Sequence, residues 1–189
     1  MTWIEFIEEL ALARFCTEKK RIKQDGETWV ELEFLERANF EIGGDDDFLC
    51  AKMRTTGPKG YRVNVFDVGY DFDVKEGDLC AFRLVGVTGT GLNAYPSEAA
   101  LRADGCDLPI PYIAPAYEDE PGQYNRIVCR VLSVLSGPYV GHEGKLGYHL
   151  LVETAEMTFE VSIQEHDGEI DVGDYLYGYV ALEGIVETA

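Results

Sequence analysis

The sequence has few basic residues for its length. It carries 16 lysines and arginines against 35 aspartates and glutamates, so its formal net charge is −19. A surface this acidic repels phosphate backbones and anionic membranes, and it favours basic partners. The imbalance is strongest in residues 103–189, which hold 16 acidic residues and only three basic ones. Any contact with nucleic acid is therefore expected in the first half of the chain.

Paired cysteines are also missing. The five cysteines are odd in number and form no C-x-x-C motif, which excludes a zinc knuckle and a thioredoxin-like redox site. Cys50, Cys80 and Cys129 lie inside apolar strand-like runs, where a thiol usually acts as a small buried hydrophobic group. We expect reduced, structural cysteines.

The common signatures of catalysis are absent. The three histidines, His142, His149 and His166, occur at neither i, i+2 nor i, i+4, the spacings of paired metal ligands. No G-x-S-x-G pentapeptide occurs, and neither a lysine nor a helix start directly follows the glycine-rich stretch 86–91. We predict no catalytic residue, no metal and no cofactor, which favours a non-enzymatic protein. An active site assembled from scattered carboxylates is the alternative.

No segment has the pattern of a signal peptide or a membrane span. The first ten residues carry three glutamates, whereas a signal peptide starts with basic residues and an uninterrupted apolar stretch. No run approaches the roughly 18 apolar residues of a membrane-spanning helix. The sequence predicts a cytoplasmic protein that does not enter a membrane.

Residues 2–23 are predicted to form an amphipathic helix. Thr2 and Glu5 have the spacing of a capping box, and apolar residues recur at helical spacing after them. Glutamates come early and basic residues late, which matches the helix dipole. Asp25-Gly26 is a stop signal, so the helical segment is predicted to end by residue 26.

Beyond this segment the apolar period changes to two, which indicates strands. Residues 27–106 contain strand-like runs separated by turns and, near their end, a short helix that Ser97 would cap. A proline-rich stretch follows at 107–124, and further strand-like runs fill 125–189. We therefore predict four segments: the N-terminal helix (1–26), a first β half (27–106), a connector (107–124) and a second β half (125–189).

The two β halves share a repeated pattern. Gly77-Asp78 and Gly173-Asp174 each precede a long apolar run that contains one glycine, and they are offset by 96 residues. The same offset superimposes residues 63–65 on residues 159–161, with apolar and polar positions in phase. A glycine inside a strand allows the sharp bend that a small barrel requires.

The strand count and turn placement of each half resemble the oligonucleotide/oligosaccharide-binding (OB) fold or an SH3-like barrel. The predicted fold class is mainly β, with an N-terminal helix followed by two small OB-like or SH3-like barrel halves related by a structural duplication. Two unrelated β segments are the alternative.

The final strand carries a candidate surface for binding a protein. Tyr175, Tyr177 and Tyr179 alternate along it and are expected on one face. Tyrosine is enriched at interfaces because it combines a rigid apolar ring with a polar tip. The alternative is that this face packs against the N-terminal helix or the other half of the protein.

The first half contains a second candidate site. Lys52, Arg54 and Arg62 would share one face if the two strands that carry them form a hairpin, and Tyr61 adds an aromatic ring. Proteins that bind single-stranded nucleic acid combine a positive groove with aromatic platforms. The alternative is that these bases balance nearby carboxylates.

These patterns predict a non-catalytic cytoplasmic binding protein. It would use an acidic, tyrosine-bearing β surface to engage a protein partner that is itself basic, as inhibitors and immunity-type proteins do. The alternative function is accessory binding of single-stranded nucleic acid by the basic hairpin, which the net charge disfavours. A homo-oligomer is compatible with either function.

Overall fold

The computed structural model describes residues 19–42, 46–66, 68, 72–88, 91–117 and 124–188. This part of the chain is mainly β, as the sequence predicts. Its strands are β1 (Lys20–Arg21), β2 (Val30–Ile42), β3 (Asp46–Thr55), β4 (Arg62–Phe66), β5 (Leu79–Thr88), β6 (Leu92–Tyr95), β7 (Tyr112–Pro115), β8 (Tyr124–Val140), β9 (Leu146–Thr154), β10 (Met157–His166) and β11 (Tyr175–Glu187). The helix α1 is Glu98–Ala103, and a single 3-10 turn covers His142–Gly144.

The predicted N-terminal helix is not supported. Residues 2–18 of that prediction lie outside the described residues. Its last part is not helical, because Lys20–Arg21 form β1 and pair in parallel with the end of β11, Lys20 opposite Val186. The basic run follows the charge pattern of a helix end, but pairing with β11 sets its conformation instead.

Two three-stranded antiparallel meanders form most of the sheet. β2, β3 and β4 make the first meander, and β8, β9 and β10 make the second. In each meander, alternate residues face the core. Val63 and Val65 of β4 and Phe159 and Val161 of β10 are fully buried, as the alternating pattern predicts.

β5 and β11 join the two meanders. They pair with each other in antiparallel fashion, with Leu182 opposite Gly86. β5 also pairs with β2 and, in parallel, with β10. β11 also pairs with β8 and, through one parallel bridge between Glu183 and Phe66, with β4. As a result β5, β10, β9, β8 and β11 close a ring of five strands.

This connectivity does not support two separate OB-like or SH3-like barrels. The ring that contains β8, β9 and β10 is closed by β5, which belongs to the first half of the sequence. In the same way, β11 of the second half lies between β4 and β5. The hydrogen bonding of the sheet therefore crosses the predicted boundary between the halves. The predicted domain boundaries stay a prediction.

The two Gly-Asp turns have matching hydrogen bonds. Asp78 Oδ2 accepts a bond of 2.9 Å from the backbone N–H of Lys75, three residues earlier. Asp174 Oδ2 accepts a bond of the same length from the backbone N–H of Asp171. Each aspartate thus acts as a turn residue that closes on its own backbone.

The glycines of these turns also match. Gly77 has φ +89° and Gly173 has φ +97°, a region that favours glycine. The N–H of Gly77 donates to the carbonyl of Phe34, and the N–H of Gly173 donates to that of Val131. Both acceptors lie at a bulge in the first strand of their meander. Each turn therefore attaches the start of a long strand to such a bulge.

One main apolar core lies inside the sheet, and a smaller cluster lies under α1. Phe72 is central to the main core, with its ring 5.8 Å from that of Phe34 and 5.7 Å from that of Phe82. The smaller group, which we call the α1 cluster, consists of Leu101, Cys106 and Val128 with partly buried side chains around them.

Two local predictions are confirmed by the structure. Ser97 caps α1, because its Oγ accepts a bond of 3.2 Å from the N–H of Ala100. Cys50, Cys80 and Cys129 are buried and form no disulfide bond, as is true of Cys106, while Cys16 lies outside the described residues. No helix in the described ranges is long and apolar enough to cross a membrane.

Candidate binding surfaces

The three tyrosines of the final strand have different surroundings. Tyr175 and Tyr177 are partly buried and pack against the α1 cluster. Tyr179 is 45% exposed. The connector and α1 therefore cover two of the predicted partner-binding residues and leave the third facing solvent.

Arg126 lies between the tyrosines and is held in place. Its guanidinium carbon is 5.3 Å from the centre of the Tyr177 ring, and a guanidinium N–H donates to the Tyr177 hydroxyl. This hydrogen bond raises the pKa of Arg126. Arg126 is directly opposite Tyr179 on the neighbouring strand, and Tyr124, 43% exposed, is the diagonal neighbour of Tyr179. We call Tyr124, Arg126 and Tyr179 the tyrosine patch.

The predicted basic residues converge on one cavity. Lys52, Arg54 and Arg62 all line a space of about 340 Å³ on the outer face of the first meander, and we call it the basic cavity. Tyr61 does not line it, because its ring packs against the main core. Tyr117, which the sequence did not single out, lines it instead and is 66% exposed. The remaining lining residues are Leu35, Glu36, Val63, Asn64, Glu76 and Pro115.

Two of the three basic residues already have acidic partners. The ammonium of Lys52 forms an ion pair with Glu36, and Arg54 Nη1 is 3.5 Å from a carboxylate oxygen of Glu33. The hydrogen bond from Lys52, together with the positive charges of Lys52 and Arg62, lowers the pKa of Glu36. Arg62 forms no salt bridge within the described ranges.

The wall between the basic cavity and the second meander contains a buried pair of asparagines. Asn64 N–H donates to Asn125 Oδ1, and Asn125 Nδ2 donates to the carbonyl of Asn64, both at 2.8 Å. Asn125 is fully buried, and Asn64 is 3% exposed. A side-chain amide carries the same donor and acceptor as a peptide group, so Asn125 replaces a neighbouring strand at this point of β4.

Sequence reasoning did not anticipate a chain of polar side chains next to the second meander. Its members, in order of contact, are Arg21, Glu27, Arg83, Glu160, His149 and Ser162. Arg83 joins the two carboxylates, with Nη1 3.2 Å from Glu27 Oε1 and Nη2 3.1 Å from Glu160 Oε2. The pairing of β9 with β10 sets the rest, because His149 is directly opposite Ser162.

Glu160 is the centre of this polar chain. Its Oε2 lies 2.8 Å from His149 Nε2. Burial opposes ionisation of this carboxyl, but the hydrogen bond from His149 and the charge of Arg83 outweigh that cost. The pKa of Glu160 is therefore lowered below its usual range.

The serine, histidine and carboxylate of this chain are the side chains of a hydrolase triad, but their burial does not fit that role. His149 Nδ1 is 3.2 Å from Ser162 Oγ, within reach of a hydrogen bond. Ser162 is fully buried, whereas a nucleophile must contact its substrate. We interpret these residues as a structural network. Across the described segments, no three metal-ligating side chains come together.

Comparisons with known proteins do not place the chain in a family. No protein-family model matches it, and no curated protein or solved structure matches it significantly. The proposals below therefore rest on the geometry of these surfaces.

Proposed function

We propose that the protein is a non-catalytic binding protein that engages a basic protein partner through the tyrosine patch. The observation that carries this proposal is the exposure of Tyr124 and Tyr179 on either side of a fixed Arg126. Tyrosine and arginine are, with tryptophan, the residues enriched among the dominant contacts of protein interfaces. The patch therefore has the composition of an interface centre.

The fixed position of Arg126 supports this function. A free arginine side chain loses about 0.5–1.5 kcal/mol of conformational freedom when a partner immobilises it. Tyr177 already holds Arg126 through its ring and hydroxyl, so part of that cost is met in the folded protein. Two exposed tyrosines beside a pre-organised guanidinium form a surface that is ready to bind.

The charge of the chain supports a basic partner. A net charge of −19 attracts a basic protein from a distance and raises its rate of association. A basic enzyme that is occluded by an inhibitor or immunity-type protein is the partner class that we propose. We place this function in the cytoplasm, and the four buried cysteines of the described residues, which form no disulfide bond, support a reducing compartment.

Affinity capture with the full chain as bait tests this function. The variant Tyr179→Ala removes the exposed ring of the patch. Leu135→Ala is the matched control, because Leu135 is 48% exposed and lies outside the patch. We expect Tyr179→Ala to reduce retention of a basic protein about tenfold or more, and Leu135→Ala to leave it unchanged.

The same capture in a salt series separates a charge-steered partner from a non-specific one. Retention of the proposed partner should decrease between about 0.05 M and about 0.3 M salt, because salt screens charges on exposed surfaces. Equal capture by the wild type and Tyr179→Ala would refute the tyrosine patch. If the bait captured only a second copy of the chain, the proposal of a basic partner would be wrong and the patch would be a site of self-association.

A second candidate function is binding of single-stranded nucleic acid at the basic cavity. The observation that favours it is the convergence of Lys52, Arg54 and Arg62 on one space, with Tyr117 beside them. Fluorescence anisotropy with a labelled single-stranded oligonucleotide tests it. Binding that weakens steeply with salt would support this function, and no binding at low salt would remove it.

We also propose that β2–β5 and β8–β11 are duplicated units that exchange their closing strands. The offset of 96 residues supports this. It relates Gly86 to Leu182, which pair with each other, and it relates the parallel pairing of β4 with β11 to the parallel pairing of β10 with β5. Those matched pairs are Phe66 with Glu183 and Ser162 with Val87. In this interpretation the outer face of β4, with Asn64, and the outer face of β10, with Glu160, are equivalent positions that have diverged.

A further inference from the structure

We propose that the basic cavity binds a single nucleotide, with its phosphate between Arg54 and Arg62 and its base against Tyr117. This inference goes beyond the binding of a protein partner. It rests on the second candidate function and narrows the ligand from a strand to a mononucleotide.

The phosphate position follows from two arginines that face each other. Arg54 on β3 is directly opposite Arg62 on β4, and like charges at opposite positions of neighbouring strands are destabilising. Glu33, 3.5 Å from Arg54, and Glu36, whose carboxylate interacts with the charge of Arg62, offset part of this repulsion. A phosphate with several acceptor oxygens would neutralise both guanidinium groups, which bind phosphate oxygens through paired N–H groups.

The base position follows from the shape and lining of the cavity. Its volume of about 340 Å³ is at the lower end of the range for small-molecule sites, about 300–1,000 Å³. Leu35 and Pro115 supply apolar lining, and the 66% exposed Tyr117 offers an aromatic face. Stacking of a base on an aromatic side chain is tolerant of sequence and independent of a long strand.

The acidic residues around the cavity favour one nucleotide over a strand. Glu36 and Glu76 line the same space as the three basic side chains, and the rest of the chain is strongly acidic. Additional phosphates of a strand would meet carboxylates, whereas one phosphate needs only the two arginines. Carboxylates also accept hydrogen bonds from the amino groups of a base, which adds a polar contact for the ring.

Isothermal titration calorimetry of the full chain with nucleoside 5′-monophosphates tests this inference. Inorganic phosphate and the free nucleosides are separate arms, because each carries only half of the proposed contacts. We expect at least one monophosphate to bind about tenfold or more tightly than either half alone. Arg62→Gln should weaken that binding about tenfold or more.

Two further variants separate the phosphate contact from the base contact and from general charge. Tyr117→Leu should weaken the monophosphate but leave inorganic phosphate unchanged. Arg37→Gln is the charge control, because Arg37 is exposed on β2 and does not line the cavity. It should change the affinity less than about twofold. Circular dichroism confirms that each variant is folded.

Three results would overturn the mononucleotide. Equal affinity for a nucleoside and its monophosphate would show that the phosphate makes no contact. An unchanged affinity in Arg62→Gln would show that the phosphate does not bind at Arg62. Affinity that rises with each added nucleotide of an oligonucleotide series would overturn the single-nucleotide site and retain the strand as ligand. Absence of binding by monophosphates and oligonucleotides alike would remove both.

Discussion

Replacement of Asn125 by alanine should destabilise the protein strongly, although Asn125 has no contact with solvent or ligand. The change removes both 2.8 Å hydrogen bonds to the backbone of Asn64. The N–H and carbonyl of Asn64 then lose these two bonds in a buried position, because Asn64 is 3% exposed and alanine cannot replace the amide. A buried polar group that loses its partner costs about 1–3 kcal/mol.

Two such groups give an expected loss of about 2–6 kcal/mol in the free energy of unfolding. For a chain of this length, a central value of about 4 kcal/mol corresponds to a fall in Tm of about 8–16 °C. Urea denaturation followed by tryptophan fluorescence and circular dichroism measures the loss. An unchanged m-value would show that the folded state is intact and only less stable.

Asn93→Ala is the matched control for this prediction, because Asn93 is an exposed asparagine on β6. We expect it to cost less than about 1 kcal/mol. If Asn125→Ala also cost less than about 1 kcal/mol, the backbone groups of Asn64 would have found other partners. The proposed role of Asn125 as a substitute strand would then be wrong.

Three further predictions concern the repeated strands, the polar chain and the tyrosines. Gly178→Ala should prevent stable folding, because its Cβ would lie 1.9 Å from a backbone oxygen; Gly86→Ala should be milder, since its Cβ would meet only side chains at 3.2 Å. Thermal unfolding compares the two. Glu160→Gln should cost about 1.5–3 kcal/mol at neutral pH, because it removes the charged partner of Arg83 from a mostly buried, hydrogen-bonded pair. Because its folded-state pKa is lowered, this difference should be complete above pH 4.5 and disappear as the pH falls through the folded-state value, which urea denaturation across pH would show. Tyr177→Ala should lower Tm by several degrees through lost packing on the α1 cluster, whereas Tyr179→Ala should leave Tm within about 2 °C; calorimetry compares them.

Local features of the fold could be predicted because their causes lie within a few residues. The Gly77-Asp78 turn needs a glycine with positive φ and an aspartate that bonds to the backbone three residues earlier. Both requirements are visible in the sequence. Ser97 as the cap of α1 follows from the same kind of short-range chemistry.

Long-range pairing could not be predicted, and it determines the candidate sites. Alternation predicts which neighbouring residues share a strand face with His149 or with Ser162. Only the register of β9 with β10 makes these two residues neighbours. The helical spacing of residues 2–23 likewise could not show that Lys20–Arg21 would pair with β11. Tertiary contacts overrode a strong local pattern there.

For the tyrosine-bearing strand β11, the alternation could be predicted from the sequence but the packing of its tyrosines could not. Its alternation is readable, and the structure places Tyr175 and Tyr177 against one cluster. The residues that cover these two tyrosines, however, come from α1 and the connector, whose sequence patterns give no sign of this contact. The same holds for the basic cavity. Alternation along two neighbouring strands predicts that Lys52, Arg54 and Arg62 share a face, but Tyr117 belongs to a distant segment that no local pattern connects to them.

The most direct test of the central claim is the retention of a basic partner by the wild type, Tyr179→Ala and Leu135→Ala, measured side by side by quantitative mass spectrometry. We predict that Tyr179→Ala loses the partner about tenfold or more, while the equally exposed Leu135→Ala retains it and both variants keep the Tm of the wild type. Equal retention by all three proteins would contradict the tyrosine patch as the binding surface.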